Sequence, residues 1–195
     1  MLALSPRTVL LPIDFQEGFF SPRMPPLGGS AFERQGLALI AAWRAKGWPI
    51  LHVRHDSAEP GSCFRPGDPG NTLRPGFSPA EGEALVTKSV NSAFLNTDLD
   101  LRLKRLGADA VLAFGISTDM CVSTTVRTGN NLGWRMIVAA DACAAFEQKD
   151  LDGTILPAAE IHRFHLATLR NEFATVADST TILAAMESLP RTSRA

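Results

Sequence analysis

Cysteine is scarce in this chain of 195 residues, and its three copies, Cys63, Cys121 and Cys143, are odd in number. So few thiols cannot supply a disulfide framework, and a cytoplasmic location is the expectation that follows. Charge of one sign is equally short: 19 Lys and Arg stand against 20 Asp and Glu, for a net charge of -1. That balance gives no electrostatic ground for nucleic acid or an anionic membrane as partner. No run of like charge is long enough to read as an interaction tail. No apolar run reaches the roughly 18 residues needed to span a bilayer. The opening MLALSPRTVLLPIDF lacks a basic n-region and a small-residue cleavage site, and reads as a first strand rather than a signal peptide. There are no internal repeats and no low-complexity segment. No G-x-G-x-x-G follows a strand, which argues against a dinucleotide enzyme.

What is present is an ordinary globular composition, 45% hydrophobic and 20% charged, in a length that suits one domain with a real core. A single domain over residues 1–195 is therefore expected. Short apolar runs alternate with helical patterns along it. Residues 8–14 (TVLLPID) predict a buried strand, 31–46 a helix closed by Gly47, and 49–53 (PILHV) a second strand. A Gly- and Pro-rich loop over about 57–79 is long for a compact domain and is a candidate lid. Residues 84–88 (ALVTK) predict a third strand, 98–106 a helix stopped by Gly107, and 110–115 (AVLAFG) the clearest strand. A helix over about 119–132, a strand at 136–140 and a helix over about 158–170 follow. A short strand near 173–176 and a final helix from Ser179 complete the pattern. Strands of this kind joined by crossover helices imply a three-layer α/β domain with a parallel sheet of six strands.

In such sheets ligands bind beyond the carboxyl ends of the strands. Three residues able to do chemistry fall at those ends: Asp14, Lys88 and Cys121. Cys121 lies just past a strand, in the first turns of a helix, where the partial positive charge of the helix terminus favours a thiolate. A lysine nearby lowers the thiol pKa further, and an aspartate can take the proton and return it to a leaving amine. Each residue also has a plainer role. A small buried cysteine packs well at a helix start, an aspartate caps a turn, and a lysine stem snorkels along apolar surface.

The strings IDFQEGFF, VTKSVNSAF and FGISTDMCVSTTVR, in this order, resemble the isochorismatase-like cysteine hydrolases, a family that includes nicotinamidases, N-carbamoylsarcosine amidases and ureidoacrylate amidohydrolases. GISTDMCV is the most specific stretch, and the resemblance runs from about Thr8 through Phe173. It implies a sheet of order 3-2-1-4-5-6 flanked by helices, and a triad of Asp14, Lys88 and Cys121. It also implies a cis peptide between Ile116 and Ser117, and an oxyanion hole built from the backbone N–H groups of Ser117 and Cys121. The implied activity is cysteine-dependent hydrolysis of a small amide or ureido compound through a thioester, releasing ammonia or an amine, with no cofactor. A homodimer or larger homo-oligomer is implied as well.

Other patterns carry less. Ser117 in GISTD lacks the second glycine of a nucleophile elbow. His162 and His165 are spaced for one helix face and fit a surface or interface as well as a Cys–His dyad. Some nicotinamidases bind a divalent ion through an aspartate and two histidines near the second strand. Here that stretch reads LHVRHDS, in which His52 and His55 are an odd number apart and point to opposite faces of a strand, so no metal is expected. His55 and Asn91, together with Phe15 and Phe20, are expected to line the substrate pocket, with Phe64 a further candidate for its apolar wall. Two alternatives remain at this point. One is a vinyl ether hydrolase of the isochorismatase type, against which the presence of Cys121 argues. The other is a non-catalytic binding protein on the same fold.

Overall fold

The protein, seen in a computed structural model, is described over residues 2–22, 24–29 and 31–189. The apolar run near the start forms β1 (Thr8–Ile13), buried at every position. The chain then builds α1 (Phe32–Lys46), β2 (Leu51–His55), β3 (Ala84–Lys88), α2 (Leu99–Arg105) and β4 (Ala110–Gly115). It continues through α3 (Ser123–Asn131), β5 (Met136–Ala139), a small hairpin of β6 (Gln148–Lys149) and β7 (Ile155–Leu156), α4 (Ala158–Thr168), β8 (Thr175–Ala177) and α5 (Ser179–Glu187). Six strands form one sheet in the order β3-β2-β1-β4-β5-β8, with every neighbouring pair parallel. This is the expected 3-2-1-4-5-6 arrangement. The last sheet strand is eighth in the chain because β6 and β7 pair separately, antiparallel to each other.

The strands at the centre of the sheet are buried on both faces. β1, β4 and β5 have no position that is even partly exposed, which is why their sequences read as continuous apolar runs rather than alternating ones. Helix α1 packs along β1, and the Trp43 indole N–H donates to the Thr8 carbonyl at 3.0 Å. Its end is fixed by Gly47 in the left-handed region, with the Gly47 and Trp48 N–H groups closing onto the carbonyls of Arg44 and Trp43. That is the helix stop a glycine provides.

The structure corrects several boundaries. β2 runs over Leu51–His55, two residues later than expected, and so carries His55 to the sheet edge in register with Lys88. The helix expected over 119–132 begins as a π-helical turn at Thr118–Val122, and becomes α-helical only from Ser123. A second π turn, Leu169–Phe173, ends α4, so Phe173 belongs to that turn and the last sheet strand starts at Thr175. The loop over 57–79 is tied down from within by the buried Asn71 among other contacts. The Asn71 amide donates to the carbonyls of His55 (3.0 Å) and Phe64 (2.8 Å) and to Asp56 Oδ1 (2.9 Å). Among the described residues no helix is long and apolar enough to cross a membrane.

Candidate active site

The strand order reverses between β1 and β4, and their carboxyl ends open a crevice of the kind where α/β proteins bind ligands. The chain leaves both strands sharply. Asp14 follows β1 with φ +56°, a left-handed conformation that aspartate tolerates better than most residues. Its N–H donates to the Val53 carbonyl at 3.0 Å. With the backbone turned away, the buried Gln16 side chain completes the sheet edge. Gln16 accepts from the His55 N–H and donates to the His55 carbonyl, both at 2.9 Å. The His55 N–H would otherwise be left unpaired, and its carbonyl would keep only the Asn71 amide.

At the end of β4, Gly115 has φ +145°, and a Cβ at that position would collide with the Ile13 carbonyl oxygen. Only glycine lets the two strands lie this close. The peptide between Ile116 and Ser117 is cis. The π turn that follows is closed by the Val122 N–H donating to the Ser117 carbonyl at 3.1 Å. It presents Cys121 over the ends of β1 and β4, opposite Lys88 at the end of β3. The Lys88 ammonium lies 2.6 Å from Asp14 Oδ2 and 3.3 Å from Cys121 Sγ. It also reaches His55 Nδ1 at 3.3 Å and the Val90 carbonyl at 3.2 Å. The Asp14 and Lys88 side chains are wholly removed from solvent. Two buried charges persist only when they are paired; the ammonium supplies the opposite charge at 2.6 Å, while neither Asp14 oxygen accepts a well-aligned hydrogen bond among the described residues. The three residues singled out at strand ends are therefore brought together.

The electrostatics differ from the sequence expectation for the thiol. Burial first, and then the neighbouring Asp14 carboxylate, push Cys121 up to about 12, and the downward pull of Lys88 does not offset them. The π turn is part of the reason: Cys121 is the fourth residue of a closed turn and is almost fully buried, not an open helix terminus. Burial also raises Asp14 above the ordinary carboxylate range despite Lys88. Burial works against the charge on Lys88, but Asp14 and Cys121 together hold its pKa above the usual lysine value. His55 is lowered by burial and by the adjacent ammonium.

A cavity of about 360 Å³ opens above Cys121, at the small end of ligand pockets. Ser117, His55 and Asn91 line it, and Asn91 Oδ1 stands 3.9 Å from the Cys121 sulfur. Phe64, contributed by the long loop, packs tilted against Phe19 at 4.4 Å between ring centroids, and Phe146 lies beyond at 5.9 Å from Phe19. Two expected wall residues are elsewhere. Phe15 is buried in the core, stacked on Phe77 at 3.7 Å, because successive residues at a strand end face opposite ways. Phe20 sits under the Arg74 guanidinium, 3.9 Å from the ring centre. Its neighbour Phe19 faces the cavity instead, since adjacent residues in a tight 3₁₀ turn diverge by about 120°.

Phe19, Met24, Phe146, Glu147 and Gln148 line the cavity but were not singled out from the sequence. They lie in turns, irregular chain or, for Gln148, a two-residue strand, where no periodicity marks a face. Neither His162 nor His165 lines this cavity; His162 Nδ1 bonds Thr118 Oγ1 at 2.8 Å. His52 points away from the site and meets Glu83 Oε2 at 2.7 Å. Among the described residues no three His, Cys, Asp or Glu side chains gather in a group able to hold a metal.

A fold and crevice of this kind define a three-layer α/β domain with its candidate site at the strand ends. The isochorismatase domain model matches residues 8–181, and the chain belongs to the isochorismatase family. It is 35% identical over 170 residues to the isochorismatase-family protein YrdC of Bacillus subtilis, covering 87% of this chain and 91% of that one. It is 31% identical over 139 residues to a streptothricin hydrolase of Streptomyces noursei, covering 71% of this chain and 50% of the other. Nicotinamidase 3 of Arabidopsis thaliana is 27% identical over 160 residues, or 75% and 78% of the two chains. Among solved structures, a protein of Chromobacterium violaceum described as a hydrolase of the isochorismatase family superposes with a TM-score of 0.93 at 38% identity, covering 97% and 98% of the chains. A cysteine hydrolase of Pseudomonas syringae superposes with a TM-score of 0.88 at 25% identity, covering 96% of each.

Proposed function

We propose that this isochorismatase-family hydrolase is an amidohydrolase that uses Cys121 as nucleophile, Asp14 as proton carrier and Lys88 as their electrostatic partner. The observation that carries the reading is a buried ammonium 2.6 Å from a carboxylate and 3.3 Å from a thiol, the thiol lining a small cavity. An isolated thiol held near 12 is inert, but burial that raises Asp14 also makes it a stronger base than an ordinary carboxylate. In the proposed reaction Asp14 takes the Cys121 proton as sulfur attacks the carbonyl carbon. The backbone N–H groups of Ser117 and Cys121 receive the charge that develops on the oxygen. Asp14 passes its proton to the nitrogen, the C–N bond breaks, and ammonia or an amine leaves an acyl thioester. Asp14 then takes a proton from water, hydroxide adds to the thioester carbon, and the thiolate leaves and recovers its proton as the acid departs.

The names of two relatives, a streptothricin hydrolase and a nicotinamidase, support an amide substrate, and the cysteine hydrolase among the structural neighbours supports the nucleophile. Ammonia release over a panel of small amides and ureido acids, with Cys121→Ala as control, tests the reading. Turnover of at least one amide that vanishes in the variant is expected. Release of pyruvate from isochorismate at a rate that Cys121→Ala retains would instead establish a vinyl ether hydrolase.

A further inference from the structure

The Lys88 ammonium has three protons to donate, and three groups accept from it with hydrogen-bond geometry: Cys121 Sγ at 3.3 Å, the Val90 carbonyl at 3.2 Å and His55 Nδ1 at 3.3 Å. Asp14 Oδ2 is nearer, at 2.6 Å, yet accepts no well-aligned hydrogen bond among the described residues. The carboxylate thus supplies opposite charge, while the other three set the direction of the ammonium. Two of those are the thiol and a backbone group. The third, His55, has no part in the reaction described so far.

Several contacts hold the His55 ring in this place. His55 and Lys88 are paired in register on the parallel strands β2 and β3, so their side chains leave the same face of the sheet. Gln16 holds the His55 backbone at both its N–H and its carbonyl, and Asn71 holds the carbonyl as well. Phe64 meets the ring in a T-shaped contact, 6.2 Å between centroids. Facing an ammonium, Nδ1 bonds only as an acceptor, which requires the uncharged ring. Burial and then the ammonium lower the His55 pKa and favour that form, against the opposing pull of Asp14, Asp56 and Glu59. Without this acceptor one ammonium proton would be free. The adjacent carboxylate is the strongest competitor for it, since charge-assisted hydrogen bonds are roughly twice as strong as neutral ones. The ammonium would turn towards Asp14 and loosen its hold on the sulfur.

We infer that His55 is a positioning residue: its Nδ1 accepts a hydrogen bond from the Lys88 ammonium and so keeps that ammonium aimed at the sulfur of Cys121. His55 acts through Lys88 and exchanges no proton itself. The thiolate forms more readily for it, because the charge that develops on sulfur is already faced by an N–H donor. The effect on turnover rests on the amidohydrolase reading. The effect on the thiol needs no substrate, and that separates the two.

The test compares the unaltered full chain with His55→Ala, His55→Asn and His55→Gln, each checked for folding by circular dichroism. Asn places an amide oxygen near the position of Nδ1, whereas Gln reaches the position of the ring's far nitrogen. Iodoacetamide labelling of Cys121 is followed by peptide mass mapping between about pH 7 and pH 9, since only the thiolate reacts. The constants kcat and KM are measured with an amide that the unaltered protein hydrolyses. His55→Ala should label at least threefold more slowly across the range, and lose at least tenfold in kcat with KM changed less than threefold. Removing the ring opens the cavity, so access alone would speed labelling, and a slowing reports the thiol. His55→Asn should recover most of both losses, and His55→Gln neither. Labelling of His55→Ala as fast as in the unaltered protein, or a change in KM alone, overturns the proposal. Recovery in His55→Gln but not in His55→Asn overturns it too, because the far nitrogen would then be the one that matters. Should His55→Ala fail to fold, the contrast between Asn and Gln decides. Labelling slowed in His55→Ala and restored in His55→Asn, with no amide hydrolysed by the unaltered protein, leaves the positioning standing and counts against the hydrolase reading.

Discussion

The central residues are tied so closely that changing one alters the protonation of the others. Asp14 raises the Cys121 thiol and Lys88 lowers it, so the two substitutions should move the thiol in opposite directions. Alkylation of Cys121, followed by peptide mass mapping across pH, should show an easier-to-ionise thiol in Asp14→Asn and a harder one in Lys88→Met. Both variants should nevertheless lose turnover by about 10²–10⁴-fold, the usual worth of a positioned acid–base group. Faster alkylation with retained turnover in Asp14→Asn would remove Asp14 from the proton path. Each single substitution also leaves a buried charge alone, at a cost of about 3–5 kcal/mol. The double variant Asp14→Asn/Lys88→Met should unfold in denaturant at a higher midpoint than the sum of the two losses allows. At this scale the sequence was informative where chemistry and position coincided. An aspartate and a lysine each ended an apolar run, a cysteine followed another by a few residues, and the family resemblance named them in order. The ionisation of the thiol was not legible, because it depends on how deeply the sheet buries Cys121 and on the carboxylate beside it. The cavity walls were not legible either. Phe15 and Phe19 look alike in the string, and only the direction of the backbone at each decides which one faces the ligand.

The elements hold the site through close approaches that tolerate little change. Gly115→Ala places a methyl group against the Ile13 carbonyl and puts alanine at φ +145°. It is expected to lower the thermal midpoint clearly and to abolish turnover, and a near-native midpoint with full activity would show that β1 and β4 can part there without consequence. Glu83 fastens the start of β3 to its neighbours. It accepts from the Arg44 guanidinium at 2.7 and 2.9 Å, from the Ala80 N–H at 2.9 Å, and meets His52 at 2.7 Å. Burial tends to raise this carboxyl, but Arg44, the Ala80 amide and His52 outweigh it and hold Glu83 at about 2, below its ordinary 4.5. A carboxyl depressed in the fold contributes stability above its unfolded pKa and loses it as pH falls through the folded one. The contribution is thus complete above about 4.5 and is lost towards about 2. Glu83→Gln should cost roughly 1–3 kcal/mol at neutral pH and flatten the acid limb of the stability curve over that window. An unchanged acid limb would contradict the assignment. The helix and strand order was readable from alternating apolar runs and from glycine stops such as Gly47. The π turn at Thr118–Val122 was not, since its residues would fit an α-helix equally well by propensity; at its start the Thr118 N–H donates to the Ala144 carbonyl, a contact between distant segments.

The whole molecule places its chemistry by topology. A parallel sheet whose order reverses between β1 and β4 opens a crevice at their carboxyl ends, and the register of β3 with β2 brings Lys88 and His55 to the same edge. The loop over 57–79 closes one side of that crevice with Phe64, while the segment after β5 supplies Phe146 and its acidic neighbour Glu147. The sheet belongs to the family fold, whereas much of the cavity wall comes from the turns and loops around it. The expectation of a homo-oligomer is tested by light scattering over a concentration series, in which a mass near twice the 21.0 kDa of the chain, or more, is predicted and a single 21.0 kDa species would refute it. The claim at the centre of the account is that a covalent bond forms at Cys121 during hydrolysis of an amide. It is tested most directly by mixing the protein with an amide it turns over, quenching in acid within the first turnovers, and measuring the intact mass. The account predicts a species heavier by the acyl fragment, mapped to Cys121 and absent from Cys121→Ala. Turnover that proceeds with no adduct on the chain, and that Cys121→Ala preserves, would contradict it.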